Sequence, residues 1–446
     1  MRIIIAGAGE VGFHLAKLLA YENHDITVID KDKEKLEEAA NYLDVATIQG
    51  NASYYNVLFE AGVTQADLLI AVTTSEEANI ATCIIGKNLG AKKTIARVEN
   101  VEFIFNKEKF DIRNTGIDEL ISPESLAARE IKRLLRDVGT TDSFDFDNGK
   151  LSLVGTVLEP NNVLVGKKIN ELEIQGARED FNAVAILRNN ETIIPHGNTS
   201  FESGDHAYFI APPGGIDNIM HIFGKKKTTF KSIMLLGGSK VGYHTAVKLS
   251  KKFNVKLIEK DKQKCFELAD KLPDVMVING DGRDVELLKE EGIEEMDAFI
   301  AVTGNSETNI LSCLVAKNHN VKKTISLVEN IDYIHLSQNI GVDTMINKKL
   351  IAANFIFRYV REGEVISLTS IHGVDAEVLE FIVKPGSKIT ESFIKDLHFP
   401  PNAIIGGVVR NGMGYTTKGD FQFRPGDRAV VLSKPSCLYK VEEFFK

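Results

Sequence analysis

Only four cysteines occur in the 446 residues, Cys83, Cys265, Cys313 and Cys437. They lie far apart and form no C-x-x-C pair, so neither a disulfide framework nor a zinc site is indicated. Four dispersed cysteines fit a reducing cytoplasm, and their simplest role is as buried small apolar side chains. No apolar run approaches the ~18–20 residues needed to span a bilayer. The first strand begins at Arg2, which leaves no room for a signal peptide. The ten histidines show no H-x-x-x-H spacing, the usual mark of a metal-binding helix. There is no G-x-x-x-x-G-K-[ST] loop for phosphotransfer and no G-x-S-x-G nucleophile elbow. A formal charge of −9 and the lack of a helix-turn-helix signal argue against a nucleic-acid partner. What is present, 43% hydrophobic and 26% charged residues, describes a soluble globular chain of roughly three or four ordinary domains.

The N-terminal stretch carries the most chemistry. Ile3 to Ala6 read as a buried parallel strand. Gly7, Gly9 and Gly12 follow at G-x-G-x-x-G spacing, and Val11, Leu15, Leu18 and Leu19 then recur at helical intervals. A strand therefore feeds a glycine turn that opens a helix, whose unpaired N–H groups and dipole favour an anion. Gly7 permits the turn, Gly9 leaves room for a pyrophosphate, and Gly12 lets helix and strand pack closely. A second strand, Ile26 to Ile29, ends in Asp30, where a carboxylate accepts ribose hydroxyls and favours NAD over NADP. Glycine turns also serve packing alone; the order strand, turn, helix, strand, acid is what raises nucleotide binding above that reading.

Repeated βα units follow. Leu36, Ala39, Ala40 and Leu43 place a helix over 32–42 with one apolar face. Strands follow at Val45–Ile48, Leu68–Val72 and Thr94–Val98, with helices near 54–61 and 77–89. This pattern predicts a doubly wound parallel sheet. Its strand ends, Gly7, Asp30, Asn51, Thr73 and Arg97, all carry groups that a dinucleotide uses. The polar run 137–150 reads as a linker.

The chain is also an internal repeat. Gly7 returns as Gly237, Cys83 as Cys313 and Lys92 as Lys322, each 230 residues on. Each copy ends in a small domain of short strands, in which Arg188, Gly197 and Gly204 match Arg410, Gly419 and Gly426. The Asp205 and Asp427 that follow read as turn residues without a catalytic role. The expected boundaries are 1–138 and 225–362 for two Rossmann-like nucleotide domains, and 139–224 and 363–446 for two small α+β domains. The lysine run at 224–229 reads as a solvated linker between halves. The second-copy segment 348–360 is apolar almost all round, which suits a helix packed against another nucleotide domain.

The copies differ at the site. Residues Gly7, Gly9, Glu10, Val11, Asp30, Asn51, Thr73 and Arg97 have as counterparts Gly237, Ser239, Lys240, Val241, Glu259, Asp281, Thr303 and Leu327. The Ser239 side chain crowds a pyrophosphate, and Leu327 removes a phosphate partner; Lys240 restores part of the positive charge. A weaker or differently selective second site is expected, against the alternative of a structural relic.

Glycine motif, acid and repeat together resemble the RCK (KTN) family, whose nucleotide domains are each followed by a small domain. The matching segments are GAGEVG at 7–12, Asp30, GNAS at 50–53, AVTTSEEAN at 71–79 and ARVEN at 96–100. The duplicated arrangement resembles the peripheral subunits of bacterial Trk potassium-uptake systems. That resemblance implies a non-enzymatic regulator that binds NAD or NADH, with ATP or ADP as a second ligand class. It further implies a homotetramer or ring, a Trk/Ktr-type potassium-translocating membrane subunit as partner, and a location on the inner face of the membrane. The rival reading is an NAD-dependent oxidoreductase, which needs an acid or base beside the nicotinamide; the small domains look too plain to supply one.

Overall fold

The computed structural model describes residues 1–20, 24–99, 111–135, 142–174, 181–189, 191–223, 230–330, 333, 341–361, 365–370 and 374–446. Four sheets follow one another. The first contains β1 (Arg2–Ala6), β2 (Asp25–Asp30), β3 (Ala46–Gln49), β4 (Leu68–Ala71), β5 (Lys93–Arg97) and β6 (Glu119–Ile121). They are parallel, in the order β3-β2-β1-β4-β5-β6. The second contains β7 (Asp142–Phe146), β8 (Leu151–Val157), β9 (Asn182–Arg188), β10 (Glu191–Ile193) and β11 (His206–Ala211), antiparallel in the order β10-β9-β11-β8-β7. The third repeats the first: β12 (Ser232–Leu236), β13 (Asn254–Glu259), β14 (Val275–Asn279), β15 (Ala298–Ala301), β16 (Lys323–Leu327) and β17 (Thr344–Ile346), in the order β14-β13-β12-β15-β16-β17. The fourth contains β18 (Val365–Ser370), β19 (Glu377–Ile382), β20 (Ala403–Arg410), β21 (Met413–Thr416) and β22 (Arg428–Ser433), in the order β18-β19-β22-β20-β21.

The fold is thus two Rossmann-like parallel sheets, each followed by a small antiparallel-sheet domain. The residues gather into two compact units, and each draws on both repeats. One holds Met1–Lys132, Ser232–Tyr333 and Asn339–Val360; the other holds Arg133–Lys231, Ile334–Gln338 and Arg361–Lys446. The first therefore contains both parallel sheets and the second both small sheets.

Burial explains the elements. Ile3 to Ala6 of β1 are buried, as a parallel strand covered on both faces requires. The helix Glu10–Ala20 lays Val11, Gly12, Leu15, Ala16 and Leu19 on the sheet. Asp32 caps the helix Lys33–Tyr42 by accepting from the Glu34 N–H at 3.0 Å. Leu36 and Ala39 of that helix are buried, but Ala40, expected on the same face, is exposed. The helix covers the edge strand β3, itself largely exposed, so only a narrow stripe finds apolar partners.

Two further expectations are corrected. A sixth strand, β6 in the first parallel sheet and β17 in the second, joins at the equivalent edge; three residues are too few for a readable apolar period. The stretch 137–150 is not all linker, because β7 lies within it and pairs with β8. Phe146 is buried beside exposed Asp145. An edge strand needs only one apolar face, and here Asp and Ser between the aromatics imitate a loop. Residues 137–141 of that stretch and the lysine run at 224–229 lie outside the described residues.

The helix Lys348–Arg361 packs against the first nucleotide domain: Lys93 Nζ lies 5.3 Å from the Tyr359 ring centroid. In the other unit the small sheets share one core, in which Phe146, Leu151 and Tyr208 meet Val378, Val409 and Val430. Asn182 Nδ2 donates across the repeats to the carbonyls of Gly406 (2.8 Å) and Thr417 (2.9 Å). The aspartates read as turn residues also anchor buried ion pairs. Asp205 accepts two bonds from Arg188, both at 2.7 Å, and Asp427 accepts from Arg410 at 2.9 and 2.7 Å. All four cysteines are buried and unpaired, and burial pushes the Cys83 and Cys313 thiols well up. No helix among the described residues is long and apolar enough to cross a membrane.

Candidate functional site

A cleft of about 430 Å3 opens at the carboxyl ends of β1, β2, β4 and β5. In open parallel sheets this is where strand order reverses and ligands bind. Gly7, Gly9, Glu10, Val11, Asp30, Asn51, Thr73 and Arg97 all line it.

The glycine loop is built by steric need. Gly7 has φ +113°, and a Cβ there would crowd the Thr73 backbone. A Cβ on Gly12 would overlap the Gly7 carbonyl oxygen, whereas one on Gly9 would meet nothing within 4 Å. Gly12 therefore serves packing, and Gly9 faces open cleft. The Val11 side chain is buried, so its contribution to the cleft is the backbone at the helix start. Asp30 fixes the loop: one carboxylate oxygen accepts from the Ala8 N–H at 2.6 Å and the other from the Asp32 N–H at 2.9 Å. A carboxylate has about four acceptor positions, which leaves capacity for ribose hydroxyls. Asn51 Oδ1 accepts from the Ser53 N–H (3.1 Å) and Oγ (2.8 Å). Arg97 Nη2 lies 3.9 Å from Glu124 Oε1, a loose pairing for a mostly buried guanidinium.

Sequence reasoning quoted Asn79 in a motif without giving it a task. Its Oδ1 accepts from the Thr73 N–H and Oγ1 at 2.9 and 2.7 Å, and its Nδ2 donates to the Thr73 and Arg97 carbonyls at 3.1 and 3.0 Å. Asn79 thus ties the ends of β4 and β5 together beneath the cleft. Asn309 repeats every one of these bonds on Thr303 and Leu327. A second omission comes from the other repeat: Lys348 and Lys349 also line the first cleft. The largely apolar segment 348–360 points to a helix against another nucleotide domain, but nothing in the sequence marks the two lysines at its start as lining that domain's cleft.

In the second repeat the counterparts sit at the equivalent strand ends. Gly237 has φ +101°, and Glu259 Oε2 accepts from the Gly238 N–H at 2.8 Å. Val241 is buried like Val11. Ser239 Oγ donates to the Val302 carbonyl at 2.6 Å and accepts from the Gly242 N–H at 3.2 Å. It thereby caps the helix Lys240–Leu249 with an oxygen of its own, at the position an anion would take. Lys240 is paired with Glu99 of the first repeat. Asp281 accepts from Arg283 Nε and Nη2 at 3.0 and 2.7 Å and from Lys260 at 3.1 Å. The Arg283 guanidinium holds this carboxyl well below the usual carboxylate range. The second set is thus largely engaged with its own side chains. Among the described residues no group of three His, Cys, Asp or Glu side chains is placed to hold a metal.

Comparison with known proteins identifies the family and the fold. The TrkA-N domain model matches residues 3–123 and 233–348, and the TrkA-C domain model matches 153–224 and 378–446. The Trk system potassium uptake protein TrkA of Haemophilus influenzae is 35% identical over 453 residues, covering 100% of this chain and 99% of the relative. The TrkA homolog 2 of Methanosarcina mazei is 34% identical over 456 residues, covering all of both chains. The crystal structure of the GsuK RCK domain superposes with TM-score 0.60 at 15% identity, over 99% of this chain and 94% of that one. The GsuK channel bound to NAD superposes with TM-score 0.61 at 15% identity, over 100% and 78%. At such identities the two structures speak to fold.

Proposed function

The chain belongs to the TrkA family of Trk-system potassium-uptake proteins, and on that premise we propose that it is a nucleotide-sensing regulatory subunit of a potassium transporter. It binds NAD or NADH, with ATP or ADP as the other candidates, in the first-repeat cleft and acts on a potassium-translocating membrane subunit from the cytoplasmic face. The observation that carries this reading is the convergence of eight residues in one cleft at the strand-order reversal. The relatives' names supply the potassium system, and a fold neighbour with NAD bound, the GsuK channel, supports the ligand class. We assign the domains to 1–138, 139–224, 225–362 and 363–446. The chain assembles with copies of itself as a homotetramer or ring, and it is a regulator rather than a catalyst. The second-repeat set, Gly237, Ser239, Lys240, Val241, Glu259, Asp281 and Thr303, forms a weaker or differently selective site. Nucleotide shifts the assembly only by binding its arrangements unequally.

Calorimetric titration with NADH and potassium flux into vesicles carrying the membrane subunit test this together. Asp30→Ala should weaken NADH by about 1.5–3 kcal/mol, the range for a hydrogen bond to a charged group. Gly9→Val should abolish nucleotide control of flux while the protein still co-purifies with the membrane subunit and melts like the parent, because its Cβ meets open space. Parent-like NADH binding by both variants would move the site elsewhere. Flux indifferent to every nucleotide, with no co-purification, would remove the potassium reading.

A further inference from the structure

We infer that Lys349, a residue of the second repeat, is a phosphate-binding residue of the first repeat's cleft. The inference rests on the nucleotide-binding reading and names the part of that site which the first repeat does not supply.

The placement is unusual for a helix. Lys348 and Lys349 stand in the first turn of Lys348–Arg361, where the dipole disfavours cations. The first repeat has Pro123 and Glu124 there, a start that suits a helix. Asn347 pins the lysine-bearing turn: its Oδ1 accepts from the Lys349 and Leu350 N–H groups at 2.8 and 3.0 Å, and its Nδ2 donates to the Glu329 carbonyl at 2.8 Å. The ammonium of Lys349 is 2.5 Å from Glu10 Oε2 and 2.6 Å from Glu329 Oε2. Burial disfavours its charge, but these two carboxylates more than offset that and leave its pKa raised.

An ammonium has three donors, and two carboxylates leave one for a ligand. The cleft lining holds Lys31, Lys35, Arg97, Lys348 and Lys349 against Glu10 and Asp30. Lys35 is also paired with Asp32, Arg97 loosely with Glu124, and Lys348 and Lys349 with Glu329. These three carboxylates stand outside the lining, so the cleft wall itself is cationic and suits a polyanion, the phosphates of a nucleotide. Glu10 stands at the helix start where those phosphates would lie, and Lys349 neutralises it. A bound phosphate takes the remaining donor of Lys349 and lies beside the Glu10 carboxylate, which repels it. Since Lys349 also holds Glu329, just beyond β16, occupancy of the first cleft acts directly on the second repeat.

The test titrates the full-length protein with NADH, ATP and adenosine. Lys349→Gln should weaken whichever phosphate-bearing probes the parent binds by about tenfold or more, as for a charge-assisted hydrogen bond. Adenosine should be unaffected, and Lys349→Arg should retain binding. Glu10→Gln, which frees Lys349, should tighten the phosphate-bearing probes. Equal losses for adenosine, no loss in Lys349→Gln, or no tightening in Glu10→Gln would overturn the inference while leaving the cleft a nucleotide site. A parent that binds neither NADH nor ATP would overturn the nucleotide reading itself.

Discussion

His14 in the helix Glu10–Ala20 and His244 in Lys240–Leu249 occupy equivalent positions, and both imidazoles are held neutral. Burial, with Lys17 nearby, lowers the His14 pKa from 6.5 to about 4. Burial lowers His244 too, with Lys248 and Lys240 adding to it. An unfolded chain protonates these side chains first, and for His14 the unfolded state binds more protons between pH ~6.5 and ~4. Stability from this source is complete above the unfolded pKa and is lost as pH falls. For His14 the loss between pH 7 and pH 5 is about 2 kcal/mol. Urea midpoints at the two pH values should therefore draw apart less in His14→Gln than in the parent. Identical pH dependence would mean that the imidazole is as solvated in the folded chain as in the unfolded one. Neither histidine carried a signal in the sequence, because the helical period marks a buried face but not how dry one position on it is.

The parallel sheets and the glycine turns were legible because each is encoded within a few residues: an apolar run, a Gly spacing, an acid at the next strand end. β6 and β7 were not, being short or set among polar residues. Also hidden was how the second repeat refilled the space beneath its strand ends. Ala6 and Ala52 become Leu236 and Gly282, and a Cβ on Gly282 would overlap the Leu236 side chain. Ala8 and Ala39 become Gly238 and Leu268, with the same overlap. Each pair exchanges one large and one absent side chain for two small ones, so neither change makes sense alone. Leu236→Ala should cost about 2–5 kcal/mol through the cavity it leaves, and Gly282→Ala about 1–3 kcal/mol through overpacking. The double variant recreates the first repeat's pair and should be more stable than the sum of the two by at least ~1 kcal/mol, measured as a coupling energy in urea unfolding. Strict additivity would show that Leu236 and Gly282 do not constrain one another.

Duplication has made the repeats interdependent. Each compact unit contains segments of both halves, and contacts far apart in sequence hold them: Lys349 on Glu10, Asn182 on Gly406 and Thr417, and Arg428 Nη1 on Asp147 Oδ1 at 2.8 Å. In the small domains the approach is close. A Cβ on Gly406 would overlap the Ile210 side chain, and one on Gly414 would overlap the Lys150 carbonyl. Strands β20 and β21 thus lie against the first small domain with no room for side chains at those points. No linear motif foretold this, since repeat detection establishes that two copies exist, not that they share a core. Separate halves would each leave a core face exposed, and contiguous apolar surface of that kind drives association. Residues 1–224 and 225–446 expressed alone should therefore aggregate or unfold at lower denaturant than the whole chain. Co-expressed, they should purify as a one-to-one complex that binds NADH like the parent, read by light scattering and calorimetry. Two well-folded monomeric halves that ignore one another would contradict the shared core. Nucleotide binding by the two repeats must accordingly be compared in the intact chain, with Gly9→Val expected to silence the first-repeat cleft and Ser239→Val to perturb the second-repeat set.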